Sequence, residues 1–143
     1  MVFKTFHPSA KDRPLRWYVV DAEGQNLGRL ASRLARVLLG KDRPEYTPGF
    51  DAGNHIVVVN AERVTVTGKK LDEKLYQRHS GYPGGFRQVT LRTMLAKTPD
   101  RVLRAAVWGM IPHNRFGRAL MGNLKIYAGP EHPHTAQNPD PLP

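Results

Sequence analysis

Apolar positions in this chain follow two rhythms, and the switches between them divide it into elements. Trp17 to Ala22 is a continuous aromatic and β-branched run, which predicts a buried strand. Gly24 and Asn26 form a turn, and the rhythm then changes. Leu27, Leu30, Ala31, Leu34, Ala35 and Leu38 recur at three- and four-residue spacing, one face of a helix running from Leu27 to about Leu39. Gly40 is placed to cap its C-terminal end. Arg29, Arg33 and Arg36 fall on the other side, a cationic ridge. His55 to Asn60 returns to an unbroken Ile/Val run, the mark of a strand buried on both faces in a parallel sheet. Strand, helix and strand in this order make a βαβ unit. Val64 to Thr67 reads as a further short strand closed by Gly68. Leu91 to Lys97 reads as a short helix with Leu91, Met94 and Leu95 inward.

The stretch from Pro99 to Gly129 organises the C-terminal half. Thr98 can cap a helix, Pro99 suits its first position, and Asp100 favours its positive end. Leu103, Ala106, Val107, Met110 and Ile111 form one apolar face, and Pro112 ends it. A polar turn at His113-Asn114-Arg115 leads into a further helical turn or two, Phe116 to Met121, and then to a β-like run, Leu124 to Ala128.

Charge changes the picture more than composition does. The 143 residues carry 22 Lys+Arg against 12 Asp+Glu, a formal net charge of +10, which suggests a polyanionic partner. The excess is uneven: from Lys74 through Lys125, both included, there are ten Lys/Arg and a single acid, Asp100. No apolar run approaches the ~18 residues that span a bilayer, and Met1 to Pro14 lacks the apolar core of a signal peptide. With no cysteine there is no disulfide, thiol chemistry or Cys-ligated zinc. The expected organisation is a basic arm over 1–16, one α/β domain over 17–129, and a Pro-rich tail over 130–143, extended and unpacked.

The search for catalytic chemistry finds little. Gly24-Gln25-Asn26-Leu27-Gly28 is a glycine-containing strand-to-helix turn that could hold a phosphate on free amides, but it lacks the three glycines of a dinucleotide fingerprint. Gly68-Lys69-Lys70 lacks the upstream glycine and the Ser/Thr of a P-loop. His132 and His134 are the one close histidine pair, and they read as solvated tail residues rather than metal ligands. No serine stands in a nucleophile elbow. RNA-binding chemistry fits more of the chain. Tyr76 to Gly85, YQRHSGYPGG, interleaves cations that fork to phosphate, rings that stack on bases, and glycines that permit close backbone approach. Two rival readings remain beside it. One is a nucleotide- or dinucleotide-binding enzyme on a Rossmann-like sheet. The other is a duplex-DNA binder, for which no helix-turn-helix pattern is found.

With these segments in view, the chain closely resembles the bacterial L-thirteen family of large-subunit ribosomal proteins. WYVVDAEGQNLGRLAS at 17–32, YTPGFDAGNHIVVVNAERVTVTGKK at 46–70, YQRHSGYPGG at 76–85, and GMIP with YAGPEHPH ending at 134 carry the resemblance. It implies a three-layer α/β/α fold with a small, mainly parallel sheet, Rossmann-like in topology but without a nucleotide site. It implies no catalysis, no cofactor, no metal, no membrane and no small-molecule substrate. The implied partners are large-subunit ribosomal RNA, bound directly from early in subunit assembly, and neighbouring large-subunit proteins, in the cytoplasm. Carried over by position, the RNA-facing residues are Lys69, Lys70, Arg78, His79, Tyr82, Gly84, Gly85, Asn114, Arg115 and Arg118; Arg104 joins them on charge alone. Trp108 and His113 depart from the family, whose members often carry Lys there, and Gly49 stands where a His is common. No charged phosphate contact carries over to those positions.

Overall fold

Ile56, Val57 and Val58 are all fully buried, and a strand with apolar residues on both sides belongs inside a sheet. The computed structural model describes Thr5, residues 7–9 and residues 13–143, and in it Asn54–Val59 (β2) lies between two parallel neighbours. Arg16–Asp21 (β1) pairs along one edge of β2, with Tyr18 opposite Ile56 and Val20 opposite Val58; Leu124–Ile126 (β5) pairs along the other. A short segment, Asp140–Pro141 (β6), adds beside β1, giving the order β5-β2-β1-β6 with every pairing parallel. The fold is the expected mixed α/β class, a small parallel sheet flanked by helices.

Leu27–Leu38 (α1) joins β1 to β2 and buries the predicted leucine and alanine stripe together with Val37. Asn26 caps its start, its side chain accepting from the Gly28 amide at 3.1 Å. At the other end Gly40 has φ of 76°, the Gly40 amide donates to the Val37 carbonyl and the Lys41 amide to that of Arg36. These two bonds are the Schellman arrangement. A Cβ at Gly40 would also stand 2.6 Å from that of Ala52, so glycine is required there twice over. The loop returning to β2 is held by Asn54, which is fully buried, donates to the Val37 carbonyl at 2.7 Å and accepts from the Arg43 guanidinium.

The remaining elements are Lys70–Glu73 (α2), the antiparallel hairpin Leu75–His79 (β3) and Phe86–Thr90 (β4), Leu91–Lys97 (α3), Pro99–Trp108 (α4) and Arg115–Gly122 (α5). Helix α4 packs on α1, and Val102, Leu103 and Val107 enter the common core.

Five expectations are corrected here. The face through Met110 and Ile111 ends early: α4 stops at Trp108, and tighter i to i+3 bonds from Met110 to Val107 and Ile111 to Trp108 follow. That tightening keeps Ile111 buried and leaves Met110 44% exposed. Thr98 makes no side-chain cap, because it also closes α3, its amide donating to the Met94 carbonyl. Val64 to Thr67 is not a strand; Thr65 makes one parallel bridge to Asn26 before the chain leaves. The tail is not unpacked. Leu142 is only 8% exposed and its amide donates to the Val19 carbonyl, while Arg33 donates to the carbonyls of Leu142 and Pro143. His134, read as solvated, lies 5.1 Å from the Trp17 ring and hydrogen-bonds the Tyr127 hydroxyl at 2.8 Å. Half of the basic arm, including Lys4 and Lys11, lies outside the described residues.

Candidate nucleic-acid interface

Strands β3 and β4 form a sheet of only two strands, with most of their residues exposed. Such a hairpin is marginal in water unless it packs on something, and here Tyr76 and Leu91 supply that anchor. The turn between the strands is built from Tyr82-Pro83-Gly84-Gly85. Gly84 has φ of 71° and the Gly85 amide donates to the Tyr82 carbonyl at 2.9 Å. Pro at the second position and a positive-φ glycine at the third are the type II signature. Gly85 cannot carry a side chain, since a Cβ would meet Ser80 Oγ at 2.0 Å and the Tyr82 carbonyl at 2.8 Å. The turn therefore projects Tyr82, which is 76% exposed.

The register sets Arg78 of β3 opposite Arg87 of β4. Like charges directly opposite one another destabilise a strand pair. Neither guanidinium is in an ion pair among the described residues. Together with Ser80, Gly84 and Gly85 they line a hollow of about 280 Å³. His79 stands at its shoulder, where Nδ1 accepts from the Gly81 amide at 2.9 Å. That bond places the imidazole proton of the neutral ring on Nε2, as a donor. Lys74 lies 5.4 Å over the Tyr76 ring at the base of the hairpin.

A second set of cations belongs to α4 and α5. Asn114 caps α5, its Oδ1 accepting from the Gly117 amide at 2.8 Å, so this predicted site residue has a structural task of its own. A Cβ at Gly117 would stand 1.9 Å from the Pro112 carbonyl oxygen; glycine allows α5 to sit against the preceding turn. Arg115 and Arg118 are exposed on α5 and Arg104 on α4. Arg104 and Arg118 line one groove together with Arg101 and Trp108. Lys69 and Lys70 are exposed at the start of α2, where Lys70 reaches Thr67 Oγ1 at 3.4 Å.

Of the predicted residues, the structure thus groups Arg78, Gly84 and Gly85 around the hairpin hollow and Arg104 with Arg118 in the helical groove. Arg87 and Arg101 were not among the expected set. Arg87 follows only from the observed register, which sets it across from Arg78; a hairpin centred on Pro83-Gly84, as the sequence suggests, would instead have set Val89 there. Not every cation is available. Arg92 forms a two-bond pair with Asp72, at 2.8 and 3.0 Å. The bond and the charge of the guanidinium hold the Asp72 carboxyl below its ordinary range and raise Arg92. On the α1 ridge, Arg33 is occupied by the tail.

At the strand-to-helix turn at 24–28 the amides of Gly24, Gln25, Leu27 and Gly28 are taken within the chain, by the carbonyls of Arg63, Ala22 and Thr65 and by the Asn26 side chain. Those four donors are not free for a phosphate, which counts against the nucleotide-enzyme reading. Among the described residues no three His, Asp or Glu side chains converge as a metal site, and no helix is long and apolar enough to cross a membrane.

The chain is similar in sequence to known proteins along most of its length. The sequence model of the family described as Ribosomal protein L13 matches residues 15–133. A "Large ribosomal subunit protein uL13" of Desulfovibrio desulfuricans is 58% identical over 139 residues, 97% of this chain and 96% of its own. Its namesake in Symbiobacterium thermophilum is 54% identical over 139 residues, 97% of both chains. That of Chlorobium phaeobacteroides is 53% identical over 137 residues, 96% of this chain and 91% of its own.

Proposed function

This chain belongs to the ribosomal protein L13 family, and we propose from that premise that it binds large-subunit ribosomal RNA directly and acts early in subunit assembly. It is a structural constituent of the large ribosomal subunit, located in cytoplasmic ribosomes, and not an enzyme.

The observation that carries the RNA reading is the Arg78–Arg87 pair. A protein that folded only for itself gains nothing by setting two uncompensated guanidinium groups opposite each other on an exposed hairpin. An RNA phosphate between or beside them turns that repulsion into charge-assisted hydrogen bonds. The mechanism is neutralisation where RNA segments approach one another, with release of their counterions. Arg78, Arg87, His79 Nε2 and Tyr82 act from the hairpin; Arg104, Arg115 and Arg118 act from the helices; Lys69 and Lys70 contribute mobile charge. Gly84 and Gly85 serve by letting the backbone come close.

The test is filter binding of the full chain to naked large-subunit rRNA and to duplex DNA across a salt series. Tight, salt-dependent binding to the rRNA with no other protein present, resistant to DNA competitor, supports direct and early binding. Binding that requires other ribosomal proteins first would refute the early role, and equal competition by duplex DNA would refute RNA recognition.

A further inference from the structure

The groove between α3, α4 and α5 has a composition unlike the rest of the cationic surface. It is a shallow, open groove of about 420 Å³ lined by Met94, Trp108 and Met121 together with Arg101, Arg104 and Arg118. No carboxylate lines it, and none of its three arginines is in an ion pair among the described residues. Trp108 is half-buried and fixed in place. The His113 ring stacks on it at 4.6 Å with 13° between planes, and His113 Nε2 lies 3.0 Å from the carbonyl of Trp108 itself. A carbonyl only accepts, so the imidazole donates this bond from Nε2.

A flat, immobilised indole flanked by soft thioethers suits a planar π-system. Three guanidinium groups without counter-charges suit phosphate. A nucleotide turned out of its stack carries both features. We propose that this groove seats a single unstacked nucleotide of the bound RNA, its base against Trp108 and its flanking phosphates on Arg101, Arg104 and Arg118. This deepens the RNA-binding reading above and rests on it. It also assigns a use to Trp108 and to the His113 ring stacked on it.

Short-wave ultraviolet irradiation of purified large subunits containing the full chain tests the seat without any mutation. Trypsin releases Ala105 to Arg115, which carries Trp108, separately from His79 to Arg87 of the hairpin. The expected result is a ribonucleotide adduct on Trp108. In parallel, the full chain is titrated with naked large-subunit rRNA. Trp108→Ala should weaken binding about tenfold with an unchanged salt slope, as loss of stacking does, and Trp108→Phe should restore most of the affinity. Arg104→Gln should instead lower the slope by about one. An unmodified Ala105–Arg115 peptide beside an adducted hairpin peptide would overturn the seat and leave the ribosomal reading standing. So would a Trp108 peptide crosslinked to an acidic segment of another protein. Failure of the wild-type chain to bind rRNA would overturn the RNA reading itself, and the seat with it.

Discussion

Replacing Arg87 by glutamate should move stability and RNA affinity in opposite directions. In the free protein Arg78 and Arg87 face each other across β3 and β4 with no carboxylate to offset them. Arg87→Glu removes the repulsion and creates an opposite-charge pair at the same register. Cross-strand pairs of this kind are worth roughly 0.2–1 kcal/mol. Both positions are exposed, so solvent screening holds the gain toward the lower end of that range. For a chain of this size even the upper limit would raise Tm by no more than about 4 °C. On the RNA side, a hydrogen bond to a charged group contributes about 1.5–3 kcal/mol, so its loss costs tenfold or more in affinity. The salt slope should fall by about one for the cation lost, and further for the anion introduced. Differential scanning calorimetry of the free protein and filter binding at several salt concentrations read the two effects. A variant that is less stable than wild type yet binds rRNA equally well would refute the reasoning, because the arginines would then serve the fold.

Three further outcomes follow from the packing. Gly117→Ala should lower stability by about 1–3 kcal/mol in denaturant unfolding, because its methyl would sit 1.9 Å from a backbone oxygen that cannot rotate away; this outweighs the ~1 kcal/mol gain in helix propensity. Gly122→Ala, at the end of the same helix with nothing within 4 Å, is the control and should be neutral or slightly stabilising; equal loss in both would sink the argument. Leu142→Ala should cost about 2–3 kcal/mol and speed exchange of the Leu142 amide, and unchanged exchange would mean that the tail does not dock. Burial depresses His55 below its ordinary value of 6.5, outweighing the attraction of Asp51. The unfolded chain therefore takes up a proton first as pH falls, so this contribution is complete above 6.5 and declines below it. His55→Gln should flatten the wild-type fall in Tm between about pH 7.5 and 5.5; parallel profiles would contradict it.

What could be read from the chain was whatever local periodicity encodes. The stripe from Leu27 to Leu38 has six apolar positions at helical spacing, and all six are buried in α1. The Ile/Val run of β2 announced a strand covered on both sides, and it lies inside a parallel sheet. Features that depend on partners distant in sequence were not legible. The pairing of β6 with β1 involves two residues, one of them a proline, and no pattern of composition marks it. The same tail occupies Arg33, which the charge count had left free on a ridge. Arg92 and Asp72 are twenty residues apart, and only the fold brings them together. At the interface, the YQRHSGYPGG block displayed its turn and its chemistry, whereas Arg87 emerged only from the hairpin register. Trp108 stood out in the sequence only as a position without a charged phosphate contact, and its relation to three arginines depends on how α3, α4 and α5 assemble.

The most direct test of the central claim is sedimentation of the endogenous protein through a sucrose gradient in ~0.5 M salt, where the Debye length falls to a few ångströms and loose electrostatic attachment is screened. The account predicts that the chain migrates with the large subunit and survives the wash. Recovery at the top of the gradient as a free 16.1 kDa protein, with the large subunits intact, would contradict it.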